Sequence, residues 1–109
     1  MSEQYRVVYT PEARDDLKAI YRYIAVQFSA PETAREQVNR IRAVVRSLNV
    51  LPFRHPRVEW EPWASMGMCK VPADRYVVYY LPERETRTVT IVRIFYGGRD
   101  VREIVQAGE

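Results

Sequence analysis

The C-terminal third of the chain contains the residues best suited to chemistry, a set of cationic and aromatic side chains. Its members are Lys70, Arg75, Tyr76, Tyr80, Arg93, Tyr96 and Arg99. Arginine and lysine can hold a phosphate or carboxylate group, and a tyrosine hydroxyl can give or take a proton. The set therefore indicates contact with a phosphate or a carboxylate.

Arg93 is the least expected member because it interrupts the apolar run Ile91–Phe95. A charge within an apolar strand must be paired or must reach water. Two interpretations follow, a structural ion pair or a contact with an anionic partner. Candidate partners for an ion pair are Glu59, Glu61 and Asp100. The neighbouring Arg99-Asp100 pair likewise has two interpretations: it can contact an anionic partner, or it can cap a final helix.

Other kinds of active site find little support in the sequence. One cysteine, Cys69, and one histidine, His55, are too few for a zinc site, and a serine–histidine–aspartate triad is not credible. His55 lies in a proline-rich loop, where we expect an exposed structural role. Gly97-Gly98 predicts a turn rather than a phosphate-binding loop. We therefore expect neither a metal nor a cofactor.

Length and charge indicate one domain with modest basic character. A chain of 109 residues is a typical single domain, 1–109, and its net charge is +3. Residues 1–54 hold 9 Lys and Arg against 6 Asp and Glu, whereas residues 55–109 hold 8 of each. A nucleic-acid binder usually carries a clearer basic patch. We expect neither a membrane span nor a signal peptide, so the cytoplasm is the expected location.

A strand followed by a helix is predicted for the N-terminal region. Tyr5–Tyr9 is rich in β-branched and aromatic residues. Thr10, Pro11 and Glu12 then supply a hydroxyl cap, a first-turn proline and an acid, which together predict the start of a helix. The apolar face of this helix consists of Ala13, Leu17, Ile20, Ile24 and Phe28.

A second helix is predicted to double back on the first. Ser29 and Glu32 have the spacing of a capping box, and the helix should end before Pro52. Its apolar face consists of Ala34, Val38, Ile41, Val45 and Leu48. Because the connection between the two helices is short, we expect an antiparallel hairpin.

The remainder of the chain predicts a loop over 52–66, with a short strand at Val58–Glu61, and then a small sheet. The further strands are expected at Met68–Val71, Tyr76–Leu81 and Thr88–Tyr96, followed by a short helix within Arg99–Gln106. The two long strands are apolar on both faces, which suits central positions. Alternation would place Tyr76, Val78 and Tyr80 on one face, and likewise Ile91, Arg93 and Phe95.

These elements predict an α+β fold with an N-terminal strand, a helical hairpin, a mostly antiparallel sheet of about four strands and a short C-terminal helix. The helices should cover one face of the sheet. We expect the other face to be open and to carry the function, unless the function lies along the helices.

The helix surface and the loop offer a second candidate site. Arg35, Asn39, Arg42 and Arg46 share one stripe of the second helix. Such a stripe is either a solvated face or a docking surface for an acidic partner. Trp60 and Trp63 in the loop are either interface anchors or lids of the core.

The order and spacing of these segments resemble the RelE/ParE superfamily, toxins of bacterial type II toxin–antitoxin modules. The resemblance covers Tyr5 to about Val105. It rests on the first strand with the Thr-Pro-Glu helix start, the hairpin, the break at Pro52, the Tyr76-Val-Val-Tyr-Tyr run and the Val92-Arg-Ile-Phe-Tyr-Gly-Gly-Arg-Asp run. It implies the same α+β fold and a cognate antitoxin as partner, with operator DNA bound only through that antitoxin and no membrane contact.

Two mechanisms occur in that superfamily. RelE-like members cut mRNA on the ribosome without a metal and use basic residues to stabilise charge at the phosphate. ParE-like members inhibit DNA gyrase and lack this cluster. Of the nuclease positions, Lys70 and Arg99 match, whereas Met68, Val77 and Val105 are apolar. The resemblance therefore favours a ParE-like inhibitor of gyrase.

The alternative is a RelE-like mRNA endonuclease with a variant active site. Its candidate residues are Lys70, Tyr76, Arg93, Tyr96 and Arg99. The residues expected to bind the target are Arg93, Tyr96 and Arg99. Those expected to bind the antitoxin are Arg35, Arg42, Arg46, Trp60 and Trp63.

Overall fold

A computed structural model of the chain, which describes residues 3–107, shows a four-stranded sheet with two long helices on one face. The strands are β1 (Arg6–Tyr9), β2 (Cys69–Ala73), β3 (Tyr76–Glu83) and β4 (Thr88–Tyr96). The helices are α1 (Pro11–Gln27), α2 (Pro31–Arg46), α3 (Trp63–Met66) and α4 (Val101–Gln106), with 3-10 turns at Ser47–Asn49 and Pro52–Arg54. The two residues at each end of the predicted domain 1–109 lie outside the described residues.

The sheet has the strand order β1-β4-β3-β2. β1 runs parallel to β4, and the two other pairs are antiparallel. The two long apolar strands are therefore central, as predicted, and the α+β architecture is confirmed. No helix within residues 3–107 combines the length and the apolar character needed to cross a membrane.

The predicted start of α1 is confirmed. Thr10 Oγ1 accepts a hydrogen bond from the Ala13 N–H at 3.0 Å, and Pro11 occupies the first helical position. Ala13, Leu17 and Ile20 are buried as the apolar spacing predicts. Phe28, in contrast, is 64% exposed, because α1 ends at Gln27 and Phe28 lies past the buried face.

The capping box predicted for α2 is wrong. The helix begins at Pro31, and its N-cap is Ala30, which forms no side-chain cap hydrogen bond. Since proline lacks an N–H, it fits the first helical position, and this shifts Ser29 one residue too far upstream to cap. Ser29 instead adopts a left-handed backbone conformation, with φ of 48°, in the turn of the hairpin.

The principal core lies between the hairpin and the sheet, and a second core covers the opposite face. The principal core contains α2 residues such as Ile41 and Val45 packed against Val78, Tyr80 and Ile91. The second core consists of Val58, Trp63, Met68, Tyr79, Phe95 and Val101, with Ile104 and Val105 packed against it. The prediction of an open second face is therefore wrong. The 58–66 loop, which precedes β2, and α4, which follows β4, cover it.

The short strand predicted at Val58–Glu61 is absent. Val58 is buried, and its N–H donates to the Met68 carbonyl at 2.9 Å. The chain then turns into α3, where the Glu61 carboxylate accepts hydrogen bonds from Ser65 N at 3.1 Å and Ser65 Oγ at 2.7 Å. An acid that accepts hydrogen bonds from the first turn of a helix in this way favours a turn over continued extension.

A β-bulge in β4 overturns the predicted alternation of Ile91, Arg93 and Phe95. Tyr80 pairs with Ile91, whereas Tyr79 pairs with Arg93, so Val92 has no partner in β3. An extra residue reverses the faces beyond it. Ile91 consequently belongs to the principal core and Phe95 to the second core.

The other predicted alternation, of Tyr76, Val78 and Tyr80, is confirmed in the principal core.

His55 is half-buried rather than exposed as predicted. Its Nε2 atom is buried without a hydrogen-bond partner among residues 3–107, and its ring meets the Tyr80 ring edge-on at 6.4 Å. Burial, and then the nearby Arg54 guanidinium, lowers the pKa of His55. The folded protein therefore resists protonation of this side chain.

We expect the free energy of unfolding to fall as the pH drops from 7.5 to 5.5. The unfolded chain binds a proton at His55 near pH 6.5, whereas the folded chain stays neutral to a lower pH, so acid favours unfolding. His55 is the only histidine in the sequence. Denaturant titrations at both pH values test this, with His55→Gln as the control that should lose the dependence. A wild-type stability that is constant over this range would contradict it.

Candidate functional site

A cationic groove follows the outer seam between α1 and α2 and encloses about 880 Å³. Its charged lining consists of Arg14, Lys18 and Arg22 on α1 and Arg42 and Arg46 on α2. Tyr9, Leu17, Tyr21, Ala25, Val26 and Val38 complete the lining. The charged residues recur every four positions, so each row lies along one side of its helix.

The charge of this groove is uncompensated. None of the five cations forms an ion pair or a side-chain hydrogen bond within the described part of the chain, and no carboxylate lines the groove. Because the whole chain carries +3, all residues outside these five sum to −2. The net positive charge of the protein is thus concentrated in the cationic groove. The arginine stripe predicted the α2 side, and the matching four-residue repeat on α1 was overlooked.

The pKa of Tyr9 is influenced by the charges of the cationic groove. Burial raises the pKa of its hydroxyl, and the positive charges of Arg42 and Arg46 act in the opposite direction. The two arginines are therefore close enough to the floor of the groove to influence an acidic group there. A carboxylate-bearing partner would meet the same field.

The other predicted antitoxin residues do not share this groove. Arg35 pairs with Glu32 at 3.0 Å on the exposed surface of α2 and does not line it. Trp63 is 6% exposed and packs against Tyr79, with ring centroids 5.0 Å apart. Trp60 is half-buried and stacks on Trp63 at 5.1 Å. The two tryptophans belong to the second core, on the face of the sheet opposite the helices.

An aromatic groove of about 770 Å³ lies between α1 and the end of the sheet. Its aromatic side chains are Tyr23, Phe28, Tyr76, Phe95 and Tyr96, and its charged side chains are Asp16, Arg75 and Arg99. Ala19, Ile20, Ile24, Ala30, Thr33, Gln37 and Ile94 complete the lining. Of these rings, Tyr76 and Tyr96 were predicted site residues, whereas Phe28 was predicted only as part of the apolar face of α1 and Tyr23 was not predicted.

Contacts between rings define the shape of the aromatic groove. Tyr76 and Tyr96 meet edge-on at 5.7 Å, and so do Tyr23 and Phe28. Three of these rings are exposed to solvent, Tyr23 by 54%, Phe28 by 64% and Tyr96 by 47%. Arg99 lies over the Phe95 ring at 5.1 Å. Exposed aromatic rings next to arginine are typical of a binding surface.

Arg93 forms a structural ion pair, one of the two interpretations that the sequence left open, but with a partner that was not predicted. Its Nε and Nη2 atoms donate to the Asp16 carboxylate at 2.8 and 3.0 Å, and the Ile94 N–H donates to the same carboxylate at 2.9 Å. Glu59, Glu61 and Asp100 are not its ion-pair partners in the described structure. Arg93 also lies over the Phe95 ring at 4.4 Å.

Asp100 instead caps α4, accepting the Glu103 N–H at 3.2 Å.

The five nuclease candidates do not converge on one point. Tyr76, Tyr96 and Arg99 line the aromatic groove, whereas Arg93 is held by Asp16 beside it. Lys70 is exposed on β2 and pairs with Tyr79, so it lies on the second face of the sheet.

Burial, followed by Tyr96 and Tyr23, raises the pKa of the Tyr76 hydroxyl. This phenol therefore stays protonated at neutral pH, where it can donate a hydrogen bond but is a poor general base.

The apolar residues at the remaining nuclease positions all have packing roles. Met68 is fully buried in the second core, and Val77 and Val105 pack against that core. No group of metal-binding side chains occurs within residues 3–107.

The solved structures with a similar fold include three of toxin–antitoxin systems. The chromosomal ParDE toxin–antitoxin system from P. aeruginosa matches with a TM-score of 0.71 at 22% identity, covering 85% of this chain and 96% of that chain. The RelBE2 toxin–antitoxin complex from Mycobacterium tuberculosis matches with 0.58 at 21%, covering 86% and 92%. The archaeal RelE–RelB complex from Pyrococcus horikoshii OT3 matches with 0.62 at 15%, covering 88% and 98%.

The family assignment rests on the sequence rather than on the similarity of the fold. No curated protein sequence is significantly similar to the chain. Residues 7–101, from β1 to the start of α4, match the family described as "ParE toxin of type II toxin-antitoxin system, parDE". With this match over most of its length, the chain belongs to the ParE toxin family of type II toxin–antitoxin systems.

Proposed function

We propose that this ParE toxin inhibits DNA gyrase. The observation that carries the proposal is the packing of Met68, Val77 and Val105 in and around the second core. The resemblance to RelE-like nucleases implies charged or phenolic groups at these positions, and removing even one such group costs roughly 100-fold or more in rate. Lys70 and Arg99 alone do not make a phosphate-cleaving site. An inhibitor that acts by binding does not require one.

The surface that contacts the target is, in this proposal, the aromatic groove at Tyr96 and Arg99. Both side chains are exposed, and Arg99 forms no ion pair with the described residues. Arg93 lies next to this surface and contributes through its bond to Asp16, which fixes the end of β4. An exposed arginine among aromatic rings is a common centre of binding energy.

The second candidate is an mRNA endonuclease with a variant site. It is favoured by one observation, that Tyr76, Tyr96 and Arg99 line the same groove. In that case Arg99 would hold the phosphate, and the Tyr76 hydroxyl would act as a donor. Lys70 would be dispensable because it does not line this groove.

A paired assay of the purified chain tests the two functions. We expect inhibition of gyrase supercoiling and no cleavage of mRNA on programmed ribosomes. The Arg99→Ala variant should inhibit gyrase at least about tenfold less well. Lys70→Ala, the same charge change outside the aromatic groove, should behave as wild type. Cleavage of mRNA without inhibition of gyrase would overturn the proposal in favour of the second candidate.

We further propose that a cognate antitoxin neutralises the toxin by binding the cationic groove. The three similar structures are of toxin–antitoxin systems or complexes. The groove has an apolar floor, with Leu17 and Val38, and five cations without partners in the described structure. An amphipathic acidic segment of an antitoxin would complement both features. Operator DNA would be bound only by the antitoxin, and the site of action would be the cytoplasm.

Reversing the charge of Arg42 and Arg46 together should weaken antitoxin binding at least about tenfold, because glutamates there repel an acidic partner. The Arg42→Glu, Arg46→Glu double variant is compared with Arg35→Glu, which alters α2 outside the groove and should bind normally. Dissociation constants from calorimetry provide the measurement. Equal affinity of the double variant and wild type would exclude the groove as the antitoxin site.

A further inference from the structure

At the end of β4, the backbone groups on the outer edge form hydrogen bonds with side chains at the start of α1 rather than with a neighbouring strand. β1 pairs with β4 only as far as Ile91. Beyond it, Thr10 Oγ1 donates to the Val92 carbonyl at 2.9 Å, and the Asp16 carboxylate accepts the Ile94 N–H at 2.9 Å. The outer edge of β4 is therefore occupied up to the Ile94 amide.

The orientation of the next backbone groups follows from the pairing with β3. The Gly97 N–H donates to the Arg75 carbonyl at 2.8 Å, so Gly97 and Phe95 turn towards β3. Successive residues of a strand direct their N–H and C=O groups to opposite sides. Ile94 and Tyr96 consequently turn theirs outward, into the aromatic groove that both residues line.

Two of these outward groups are open. The Tyr96 carbonyl accepts the Arg99 N–H at 3.0 Å, whereas the Ile94 carbonyl and the Tyr96 N–H form no hydrogen bond within residues 3–107. In a parallel pair of strands, the N–H of one residue donates to a carbonyl of the neighbouring strand. The carbonyl of the same residue accepts the N–H that lies two residues after that carbonyl. The two open groups fit one residue of a parallel strand lying opposite Phe95.

The surroundings define the chemistry of such a strand. Exposed rings of Tyr23, Phe28 and Tyr96 offer apolar contact. Arg75 and Arg99 lie where β4 ends and have no ion pair within the described chain. Because a parallel strand runs in the same direction as β4, its C-terminal end would lie near these arginines. An apolar side chain followed by a carboxylate therefore complements the groove in shape and in charge.

We propose that the target contributes an extended segment of this kind, which adds to the end of β4 as a parallel strand. The inference rests on the proposed function, because it names the part of gyrase that the Tyr96 and Arg99 surface would bind. The commitment to the target rather than the antitoxin follows from charge. The larger basic surface, the cationic groove, lies on the other side of α1 and suits the acidic antitoxin.

Two variants at position 96 distinguish the contribution of the backbone N–H to target binding from that of the tyrosine ring. Tyr96→Ala removes the ring and keeps the N–H, whereas Tyr96→Pro removes both. Proline is tolerated where a strand N–H makes no bond in the sheet. We expect Tyr96→Pro to bind purified gyrase about tenfold or more weakly than Tyr96→Ala, because a bonded carbonyl of the target loses its donor. Both variants should bind the antitoxin with the same affinity, which also shows that they fold.

Amide hydrogen exchange of the wild-type chain gives a second measurement that does not depend on the proline variant. The Tyr96 amide should be protected on addition of gyrase and unchanged on addition of antitoxin. If gyrase binds and the amide stays unprotected, or the two variants bind gyrase equally, the strand pairing is wrong and the proposed function stands. Protection by the antitoxin alone assigns the segment to the antitoxin and overturns the inference. If wild type does not bind gyrase, the proposed function and this inference both fail.

Discussion

Replacing Asp16 with alanine is expected to lower the free energy of unfolding by about 3 kcal/mol. The Asp16 carboxylate accepts hydrogen bonds from Arg93 and from the Ile94 N–H. The side chains of Arg93 and Asp16 are only 28% and 13% exposed. Removal of one member of such a pair leaves a poorly solvated charge, which costs more than the loss of the attraction alone. Denaturant titration at neutral pH measures the change.

Asp15→Ala is the matched control for this prediction. Asp15 precedes Asp16 on α1, is exposed and has no side-chain partner among residues 3–107. The same change of charge there should alter stability by less than about 0.5 kcal/mol. Asp16→Asn is informative as well, because it keeps an acceptor for the Ile94 N–H and removes the charge that faces Arg93. Equal stability of Asp16→Ala and Asp15→Ala would mean that the ion pair contributes nothing.

Truncation of Trp63 to alanine should cost about 3–5 kcal/mol, the range measured for large aromatic side chains in protein cores. Trp63 is 6% exposed and contacts Trp60 and Tyr79 through its ring. Its loss would leave a cavity in the second core, between the sheet and α3. A thermal or denaturant unfolding curve gives the measurement.

Trp60→Ala is the comparison that separates packing from recognition. Trp60 is half-buried at the edge of the same stack, so its removal should cost less stability than that of Trp63. If the tryptophans were interface anchors, as the sequence also allowed, both variants would bind the antitoxin poorly at temperatures where they remain folded. Normal antitoxin affinity with a large loss of stability at Trp63 alone is the expected result.

Local signals in the sequence predicted local structure well. The Thr10-Pro11 helix start and the spacing of apolar residues along α1 and α2 depend on nearby residues, and the structure confirms them. Ser29 was misassigned because two helix-start signals overlapped, and the proline at position 31 determined the outcome. The bulge at Val92 was not predictable from alternation, since a slip of one residue leaves an equally apolar pattern.

The candidate sites were predictable only in part, because tertiary contacts assemble them. Arg93 was recognised as a charge in need of a partner, but Asp16 is 77 residues away in sequence and no local pattern connects the two. The second face was expected to be open because the sequence does not show against which face of the sheet the 58–66 loop and α4 pack. Likewise, the excess of positive charge in residues 1–54 was visible in the sequence, but its concentration in one groove with five cations depends on how α1 and α2 pack together.

That groove has a consequence for the speed of neutralisation. A cluster of charge of one sign draws an oppositely charged partner in from solution, which raises the association rate and makes it fall steeply with ionic strength. We expect the Arg14, Lys18 and Arg22 row to influence how fast an acidic antitoxin captures the toxin more than how long the complex lasts. A newly made toxin would then be intercepted before it meets its target, and salt would lengthen that interval.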